Sequence, residues 1–333
     1  MNEFELINKL FKPLVKESLI SQDLSDDVAK ISVAKDEELI VSKDIACENV
    51  HFLLKDGGYK IANKLLRCNL SDIASSGANP LFYMLGFSKK KIFDNVFISD
   101  FVSGLKDVQQ QFNISLIGGD TISVKKNSDP LFFSITIFAN AKKGRILSRK
   151  NAKEGDLIFV SGAIGDAFLG LSLIKNDEYI KKFNFTKKEQ EYLVNRHYFP
   201  EPRIELGRQL IAQNLSSCAI DVSDGLLSDL HHICNSSNLS CEVYFEDIPT
   251  FFTKRIDYSN GKDLITKGDD YELIFSASKE KFTQIMTLKN TLKIDISCIG
   301  EFVKKKDSVD QITVFSNKFR HNIIEFSNFG YEH

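Results

Sequence analysis

Aspartates recur beside glycines and at the ends of strand-like runs in this sequence. Asp44 follows an apolar run, Asp120 follows Gly118-Gly119, and Asp221 and Asp224 flank a predicted strand-to-helix turn. Two unit charges about 4 Å apart repel by about 4 kcal/mol at an effective dielectric constant near 20, so carboxylates that converge need cations. All-oxygen ligands favour Mg²⁺ or Ca²⁺ over zinc. The chemistry that converging aspartates predict is the binding of a hard cation and, with it, a nucleotide polyphosphate.

Asp72 lies on the apolar stripe of a predicted helix. Ile61, Leu65, Cys68 and Asp72 are spaced i, i+4, i+7 and i+11, which places them on one helix face. A carboxylate on such a face is costly unless a cation or a hydrogen-bond donor meets it. The alternative for each of these aspartates is structural, because Asp is common in turns and at helix N-caps.

The segment from Asp221 to Asp224 predicts a second ligand-binding feature. Ser223 or Asp224 is predicted to cap a helix that runs to Cys234, and Ser223 with the first amide groups of this helix forms an anion site. Gly118 and Gly119 allow the backbone before Asp120 to approach a ligand closely.

Strand-like and helix-like segments alternate along the chain, which predicts a mixed α and β protein. Strands are predicted at 39–41, 81–87, 114–117, 131–139, 157–160, 219–220 and 242–245. Helices are predicted at 59–76, 95–111, 165–174 and 202–213, the last with Pro202 as its first residue. The charged stretch 142–155 separates two apolar runs and is the predicted domain boundary.

Composition and missing motifs exclude several classes of function. The 333 residues include 43 Lys and Arg against 45 Asp and Glu, so a net charge of −2 predicts neither a nucleic-acid partner nor an anionic membrane surface. The N-terminus lacks the features of a signal peptide, which predicts a cytoplasmic protein. The chain has no GxxxxGK[ST] loop, no GxGxxG after a strand and no protein-kinase motif set.

The motifs, taken in order, resemble the thiamine-monophosphate kinase family. This family belongs to a superfamily of ATP-dependent enzymes that includes aminoimidazole ribonucleotide synthetase. The similarity begins at Asp26 and runs nearly to the end of the chain. The segments that carry it are Asp26-Asp27, Ser42-Lys43-Asp44 with His51-Phe52, Asn69 to Ala74 with Gly77 to Pro80, Gly118 to Thr121, Gly144-Arg145 with Ser148-Arg149, Pro202-Arg203, Ile220 to Leu226, Gly268 to Leu273, and Gly330 to His333.

The resemblance implies a fold and a domain organisation. The expected class is α/β plus α+β, in a two-domain PurM-like fold. Residues 1–145 would form an N-terminal α/β domain that binds ATP and Mg²⁺, and residues 146–333 a C-terminal α+β domain. The sheet of the N-terminal domain is expected to pair with its twin in a homodimer.

The resemblance also implies an activity. The expected reaction is direct in-line transfer of the ATP γ-phosphoryl group to thiamine monophosphate, giving thiamine diphosphate, with several Mg²⁺ ions as cofactors. The positions that match the family's magnesium ligands are Asp27, Ser42, Asp44, Asp72, Asp120, Asp221 and Asp224. Nucleotide contacts match Gly119, Asp120, Arg149 and Ser223, and substrate contacts match His51, Asp269 and Tyr331. Catalysis is assigned to Asp44, Asp120 and Asp224.

The chain departs from the family pattern at three places. Asp23-Leu24-Ser25 stands where the family usually has glycine, Lys43 replaces a threonine beside the metal-binding aspartate, and Asp269 replaces a glutamate. Two other hypotheses remain open at this stage. The chain could be another enzyme of the superfamily, such as aminoimidazole ribonucleotide synthetase, or a binding module for Mg²⁺ and nucleotide that has lost turnover.

Overall fold

The structure of the chain is a computed structural model that describes residues 3–90, 95–126, 128–250, 258–305, 311–326 and 329–330. The chain divides into two compact units. The first comprises Met1–Ile73 and Ala78–Gly144, and the second Ala74–Gly77 and Arg145–His333. Along the described segments, no helix combines the length and apolar character needed to cross a membrane.

The first unit carries a sheet whose strands are interleaved with helices. Its elements are α1 (Glu3–Leu6), α2 (Ser18–Ser21), β1 (Glu37–Cys47), α3 (Gly58–Ser76, which continues into the second unit), β2 (Asn79–Lys89), α4 (Asn95–Phe112), β3 (Ser115–Ser123) and β4 (Phe132–Lys142). The strand order is β1-β4-β2-β3. Strand β4 pairs antiparallel with both β1 and β2, whereas β2 and β3 are parallel. Strands β1 and β3 are therefore the two edges of the described sheet.

One face of this sheet forms the core of the first unit. Phe87 on β2 and Phe133 on β4 are buried, and Phe101 of α4 contacts both rings at centroid distances of 5.1 and 4.8 Å. The other face is open along β1, where Val41 is 51 % and Ile45 56 % exposed. Side chains alternate between the two faces of a strand, so Ser42 and Asp44 lie on the face opposite to Val41 and Ile45.

Two strands are longer than the sequence predicts. Strand β1 extends well beyond residues 39–41, so Asp44 lies within the strand, paired with Ile135, and not past its end. Strand β3 continues through the two glycines, so Asp120 also lies within a strand and pairs with Gly86. Strand pairing uses backbone hydrogen bonds, so a polar residue can continue a strand as well as an apolar one.

The second unit is built around a larger sheet. Its elements are β5 (Leu157–Ser161), α5 (Asp166–Lys175), α6 (Lys187–Tyr198), α7 (Ile204–Ala212), β6 (Cys218–Asp221), α8 (Leu226–Ser237), β7 (Leu239–Tyr244), α9 (Tyr258–Thr266), β8 (Leu273–Ala277), α10 (Phe282–Leu292), β9 (Ile296–Lys304) and β10 (Ile312–Phe315). Among the described strands the order is β10-β7-β9-β5-β8-β6. Strands β10 and β7 are parallel, and the other pairs are antiparallel.

Both faces of this sheet are covered, because consecutive residues of β5 pack into different apolar clusters. Ile158 and Val160 belong to the cluster under α8, whereas Phe159 stacks on Phe275 at a centroid distance of 5.3 Å in the other. The helix predicted from Pro202 begins at Ile204.

Candidate active site

The first unit contains a polar cluster on the inward face of β1 and on α3. The Ser42 hydroxyl donates to a carboxylate oxygen of Asp72 at 2.6 Å. Asp44 is half-buried on the same strand face as Ser42. Burial, and after it the charge of Asp72, raises the pKa of Asp44 to about 6, while Lys43 acts to lower it. The sequence left open whether a cation or a hydrogen-bond donor meets Asp72, and the structure shows a donor, the Ser42 hydroxyl.

This donor set suits a hard cation. Two carboxylates and a hydroxyl are oxygen ligands of the kind that Mg²⁺ prefers, and a bound cation would relieve the repulsion between Asp44 and Asp72. The Lys43 side chain lies on the opposite, open face, where its ammonium group is 3.4 Å from the Ser134 hydroxyl. Lys43 therefore does not insert its charge between the two carboxylates.

The other predicted ligands of the first unit lie elsewhere on its surface. Asp120 is exposed on β3 and accepts a hydrogen bond from the Thr121 amide at 2.9 Å. Strand β3 lies three interstrand spacings from β1, about 14 Å, so Asp120 and Asp44 are not in contact. Asp27 is exposed, and its amide donates to the Asp26 carboxylate at 2.8 Å. Gly119 is required by the sheet itself, because an added Cβ would lie 2.1 Å from the Leu85 carbonyl oxygen.

The segment before Asp27 shows why glycine is usual there. Gln22, Asp23 and Leu24 all have positive φ values, between 50° and 57°. Residues with a Cβ rarely adopt this left-handed conformation, which costs about 1–2 kcal/mol for each of them. Gln22, Asp23 and Leu24 therefore adopt the backbone conformation that glycine favours, although none of them is glycine.

His51 follows β1 in a turn. Its Nδ1 accepts a hydrogen bond from the Cys47 amide at 3.1 Å. The proton of the neutral ring therefore lies on Nε2, which makes that nitrogen a hydrogen-bond donor.

In the second unit, the loop between β6 and α8 carries the next predicted residues. Asp221 ends β6 and is buried, whereas Ser223 and Asp224 are half-buried. The N-cap of α8 is Gly225, with φ of 126°, so the prediction that Ser223 or Asp224 caps this helix is wrong. The predicted anion site at the amide groups is also filled from within the chain. A carboxylate oxygen of Asp229 accepts hydrogen bonds from the amides of Ser223, Asp224 and Gly225 at 3.1, 3.2 and 3.2 Å.

The sequence analysis did not identify Asp229 as a site residue, although it accepts hydrogen bonds from three amides of this loop. Burial, and then the charges of Asp221 and Asp224, raise the pKa of Asp229 well above its ordinary value. Ligand atoms of Asp224, Asp229 and His232 lie within 4.8 Å of one another, so these three side chains could hold a metal ion. His232 is exposed.

The segment 268–272 packs directly against this loop. The Asp269 amide donates to the Ser223 carbonyl at 2.9 Å, and the Tyr271 amide donates to the Val222 carbonyl at 2.8 Å. Asp269 and Tyr271 both have left-handed backbones, with φ of 76° and 51°. The Asp269 carboxylate is 3.6 Å from His197 Nδ1 and accepts a hydrogen bond from the Tyr271 hydroxyl at 3.3 Å. Asp269 is therefore held in place while a third of its side chain stays exposed.

A buried ion network holds the far end of the same segment. The fully buried Glu272 accepts from the Ser161 hydroxyl, from Arg203 through two nitrogens, and from Arg196, at distances of 2.6 to 2.8 Å. Burial alone would raise the pKa of Glu272, but Arg203 and then Arg196 bring it below its ordinary value. Pro202-Arg203 and the segment 268–273 were both noted as motifs, yet nothing in the sequence pairs them.

We expect Glu272→Gln to lower the free energy of unfolding by about 3–5 kcal/mol at pH 7, because it leaves two buried guanidinium groups without their anion. A carboxyl group with a lowered pKa stabilises the fold above its unfolded pKa, about 4.3, and this contribution is lost as the pH falls through its folded pKa. The difference in the free energy of unfolding between wild type and variant should therefore be largest at pH 7 and should decrease below about pH 4. Urea unfolding at both pH values measures this, and an equal difference at both would contradict it. Glu205→Gln, an exposed pair with Arg208, is the matched control.

Of the two remaining predicted site residues, Arg149 and Tyr331, the structure describes only Arg149. The Arg149 side chain is exposed, and its carbonyl oxygen accepts from the Ser237 hydroxyl at 2.9 Å. Tyr331 lies outside the described residues.

Comparison with known proteins shows to which class of protein the chain belongs. Residues 25–141 match the family model of the AIR synthase related protein N-terminal domain, and residues 153–312 match the model of its C-terminal domain. The chain is thus a two-domain AIR synthase related protein, and the predicted fold class, α/β plus α+β, is confirmed.

Relatives within this class are more specific. Thiamine-monophosphate kinase of Buchnera aphidicola subsp. Acyrthosiphon pisum is 32 % identical over 302 residues, which cover 90 % of each chain. The crystal structure of thiamine-monophosphate kinase from Stenotrophomonas maltophilia K279a aligns with a TM-score of 0.81 and 31 % identity, over 95 % of this chain and 98 % of the other. The chain belongs to the thiamine-monophosphate kinase family, and the prediction of a kinase is confirmed.

A more distant structure shares the fold. AaThiL complexed with AMPPCP and TMP aligns with a TM-score of 0.72 at 22 % identity, over 99 % of this chain and 97 % of the other.

Proposed function

We propose that this enzyme transfers the γ-phosphoryl group of ATP to the phosphate of thiamine monophosphate, giving thiamine diphosphate and ADP. The observation that carries the proposal is the similarity to thiamine-monophosphate kinases along nine-tenths of the chain. The AaThiL structure, which holds AMPPCP and TMP on the same fold, supports ATP as the donor. We also propose that the enzyme works in the cytoplasm.

Mg²⁺ fits the residues that would hold it. The proposed ligands are all oxygen donors, namely Asp27, Ser42, Asp44, Asp72, Asp120, Asp221 and Asp224. When bound, Mg²⁺ would neutralise the phosphate oxygens of donor and acceptor. Asp72 lies close enough to Asp44 that its charge adds to the effect of burial in raising the pKa of Asp44. The Ser42 hydroxyl donates a hydrogen bond that orients Asp72. Ser42, Asp44 and Asp72 are therefore preorganised for a cation before one binds.

The remaining residues would bind and orient the two substrates. Gly119, Asp120, Arg149 and Ser223 are proposed to contact the nucleotide, with Arg149 as the positive charge near its phosphates. His51, Asp269 and Tyr331 are proposed to contact thiamine monophosphate. His51 would donate from Nε2 to the acceptor phosphate, and Asp269 would balance the cationic thiazolium ring. The roles of Asp44, Asp120 and Asp224 in catalysis would be positioning and charge neutralisation.

The reaction needs little proton transfer. The acceptor phosphate is already ionised at neutral pH, so its oxygen can attack the γ-phosphorus directly. The bond between the γ-phosphorus and the bridging oxygen breaks as the new one forms, and ADP leaves as an anion. Such in-line transfer needs no covalent phospho-enzyme and relies on alignment of the reactants.

The decisive experiment is to incubate the purified protein with Mg²⁺ and ATP, with and without thiamine monophosphate. ADP and thiamine diphosphate should appear in equal amounts, and only when the acceptor is present. Binding of Mg²⁺ and nucleotide with no turnover would indicate a non-catalytic module. ADP release with aminoimidazole ribonucleotide synthetase substrates and not with thiamine monophosphate would indicate another enzyme of the superfamily.

We further propose that the chain forms a homodimer through the open face of the first sheet. Leu39, Val41 and Ile45 on β1 and Phe132 on the adjacent β4 are between 37 % and 56 % exposed. Apolar side chains grouped on one sheet face are typical of an interaction surface. A second copy of the same sheet would bury them.

Changing Val41 and Ile45 together to Asp should therefore convert the dimer to a monomer, because two charges in an apolar interface are costly to bury. Light scattering after size-exclusion chromatography measures the mass. Leu19→Asp is the control, since Leu19 is 91 % exposed on α2 and lies off the sheet. A wild-type monomer, or a double variant that stays dimeric, would refute this surface.

A further inference from the structure

Asp229 occupies the position at which a helix N-terminus normally binds an external anion. It lies in the first turn of α8 and is 2 % exposed, and its carboxylate reaches back to the three amides of Ser223, Asp224 and Gly225. Amides converging before a helix form a typical phosphate cradle. Here the chain's own carboxylate fills it.

The backbone around Asp229 leaves this loop little freedom. The Asp229 amide donates to the Gly225 carbonyl at 3.0 Å, so the same residue holds both the amides and a carbonyl of the loop. Gly225 packs closely against Thr266, where an added Cβ would lie 2.9 Å from backbone atoms. On its other side, the Ser223 carbonyl accepts the Asp269 amide.

The three amides of the loop are bonded to Asp229, while the side chains of Ser223 and Asp224 remain partly exposed. Ser223 and Asp224 are both half-buried, whereas Asp229 and Gly225 are buried. We infer that Asp229 is a positioning residue. It fixes the Ser223–Gly225 loop so that nucleotide binds through the Ser223 side chain and through Mg²⁺ at Asp221 and Asp224, and not through the amides. This inference rests on the proposed roles of these residues in the kinase.

The test measures binding of AMPPCP in the presence of Mg²⁺ by calorimetry, without acceptor, in wild type, Asp229→Ala and Asp229→Asn. Asp229→Ala removes the hydrogen-bond acceptor and should weaken binding by about 10–100-fold, the usual effect of losing a residue that orients metal ligands. Asp229→Asn keeps a carbonyl oxygen for the same amides and should bind within about 3-fold of wild type. Asp156→Ala is the matched control, because Asp156 also accepts a backbone amide, that of Lys153 at 3.0 Å. It should lower the melting temperature without changing the Kd.

Wild-type affinity in Asp229→Ala, with only a lower melting temperature, would overturn the inference and leave Asp229 a purely structural residue. Equal weakening in Asp229→Asn and Asp229→Ala would also overturn it, because Asp229 would then act through its charge, as a metal ligand with Asp224 and His232.

A second measurement needs neither a folded variant nor nucleotide. Hydrogen exchange in the free wild-type chain should show the amides of Ser223, Asp224 and Gly225 protected, and exchange as fast as in exposed turns would contradict the inference. A chain that binds AMPPCP as expected but makes no thiamine diphosphate would refute the proposed function and leave the role of Asp229 intact.

Discussion

Asp44→Asn is expected to reduce ADP formation at saturating ATP and thiamine monophosphate by about 10²–10³-fold or more, the scale found when a preorganised charge is removed from an active site. Asp44 is half-buried beside Asp72, and its charge has no function in the core of the first unit. Asn has the same shape but cannot neutralise a cation, so the loss should affect the rate much more than the fold.

The stability of this variant provides an independent check, because the substitution should lower activity without lowering stability. Burial and Asp72 raise the pKa of Asp44 to about 6, so at pH 7 without metal its ionised form destabilises the fold. That cost is absent below the unfolded pKa of about 3.9 and grows as the pH rises to the folded value. In EDTA at pH 7, Asp44→Asn should therefore melt no lower than wild type.

Steady-state kinetics and thermal melts of the same preparations decide the matter. Asp100→Asn is the matched control, since Asp100 is exposed on α4 in the same unit and should keep wild-type activity. Asp44→Asn with activity within a few-fold of wild type at saturating Mg²⁺ would exclude Asp44 from the metal ligands. A large drop in melting temperature in EDTA would show instead that its charge supports the fold.

Thiamine monophosphate should be preferred over thiamine as acceptor by at least ~10³-fold in kcat/KM, as expected when a buried charged group loses its partner. The phosphate dianion of the true acceptor would face Mg²⁺ and the Nε2 proton of His51. Unphosphorylated thiamine offers a neutral hydroxyl, which leaves the cations without an anion and must lose a proton before it can attack. Under the proposed roles, Asp269 would contact the same ring system in both molecules, so it should not distinguish thiamine from thiamine monophosphate.

Product formation from each acceptor, followed by chromatography at matched concentrations, measures this preference. Inorganic phosphate is a useful third acceptor, because turnover with it would show that the ring system contributes little. Comparable rates with thiamine and thiamine monophosphate would mean that the acceptor phosphate is not held by the metal ligands.

Local spacing in the sequence predicted part of this site well. The i, i+4, i+7, i+11 pattern placed Asp72 on the inner face of α3, and the structure shows that Ser42 donates to it. Strand ends were less predictable, because Asp44 and Asp120 lie within strands whose polar residues carry no apolar signal. The order of the motifs identified the family, since the whole series is specific even though most of its members are common singly.

Contacts between distant segments could not be predicted from spacing. Glu272 meets Arg196 and Arg203 only because β8 brings it beside the helices of the second unit. Asp229 could be placed in α8 from the sequence, but its reach back to the loop amides depends on the backbone at Gly225, which has a φ of 126°. A helix N-terminus preceded by Ser and Asp predicts an anion site. No feature of the local sequence indicates that the Asp229 carboxylate of the same chain fills it.

The hydrogen bonds between the Ser223 loop and the segment 268–272 have a consequence for how this family can vary. The Val222 amide donates to the Glu272 carbonyl, and Val222 and Ser223 accept the amides of Tyr271 and Asp269. Residues in one hydrogen-bonded network show interaction energies of about 0.5–3 kcal/mol when changed together. Substitutions in the two segments should therefore be epistatic, so a Ser223 loop transplanted from a relative should fold correctly only if the segment 268–272 is transplanted with it.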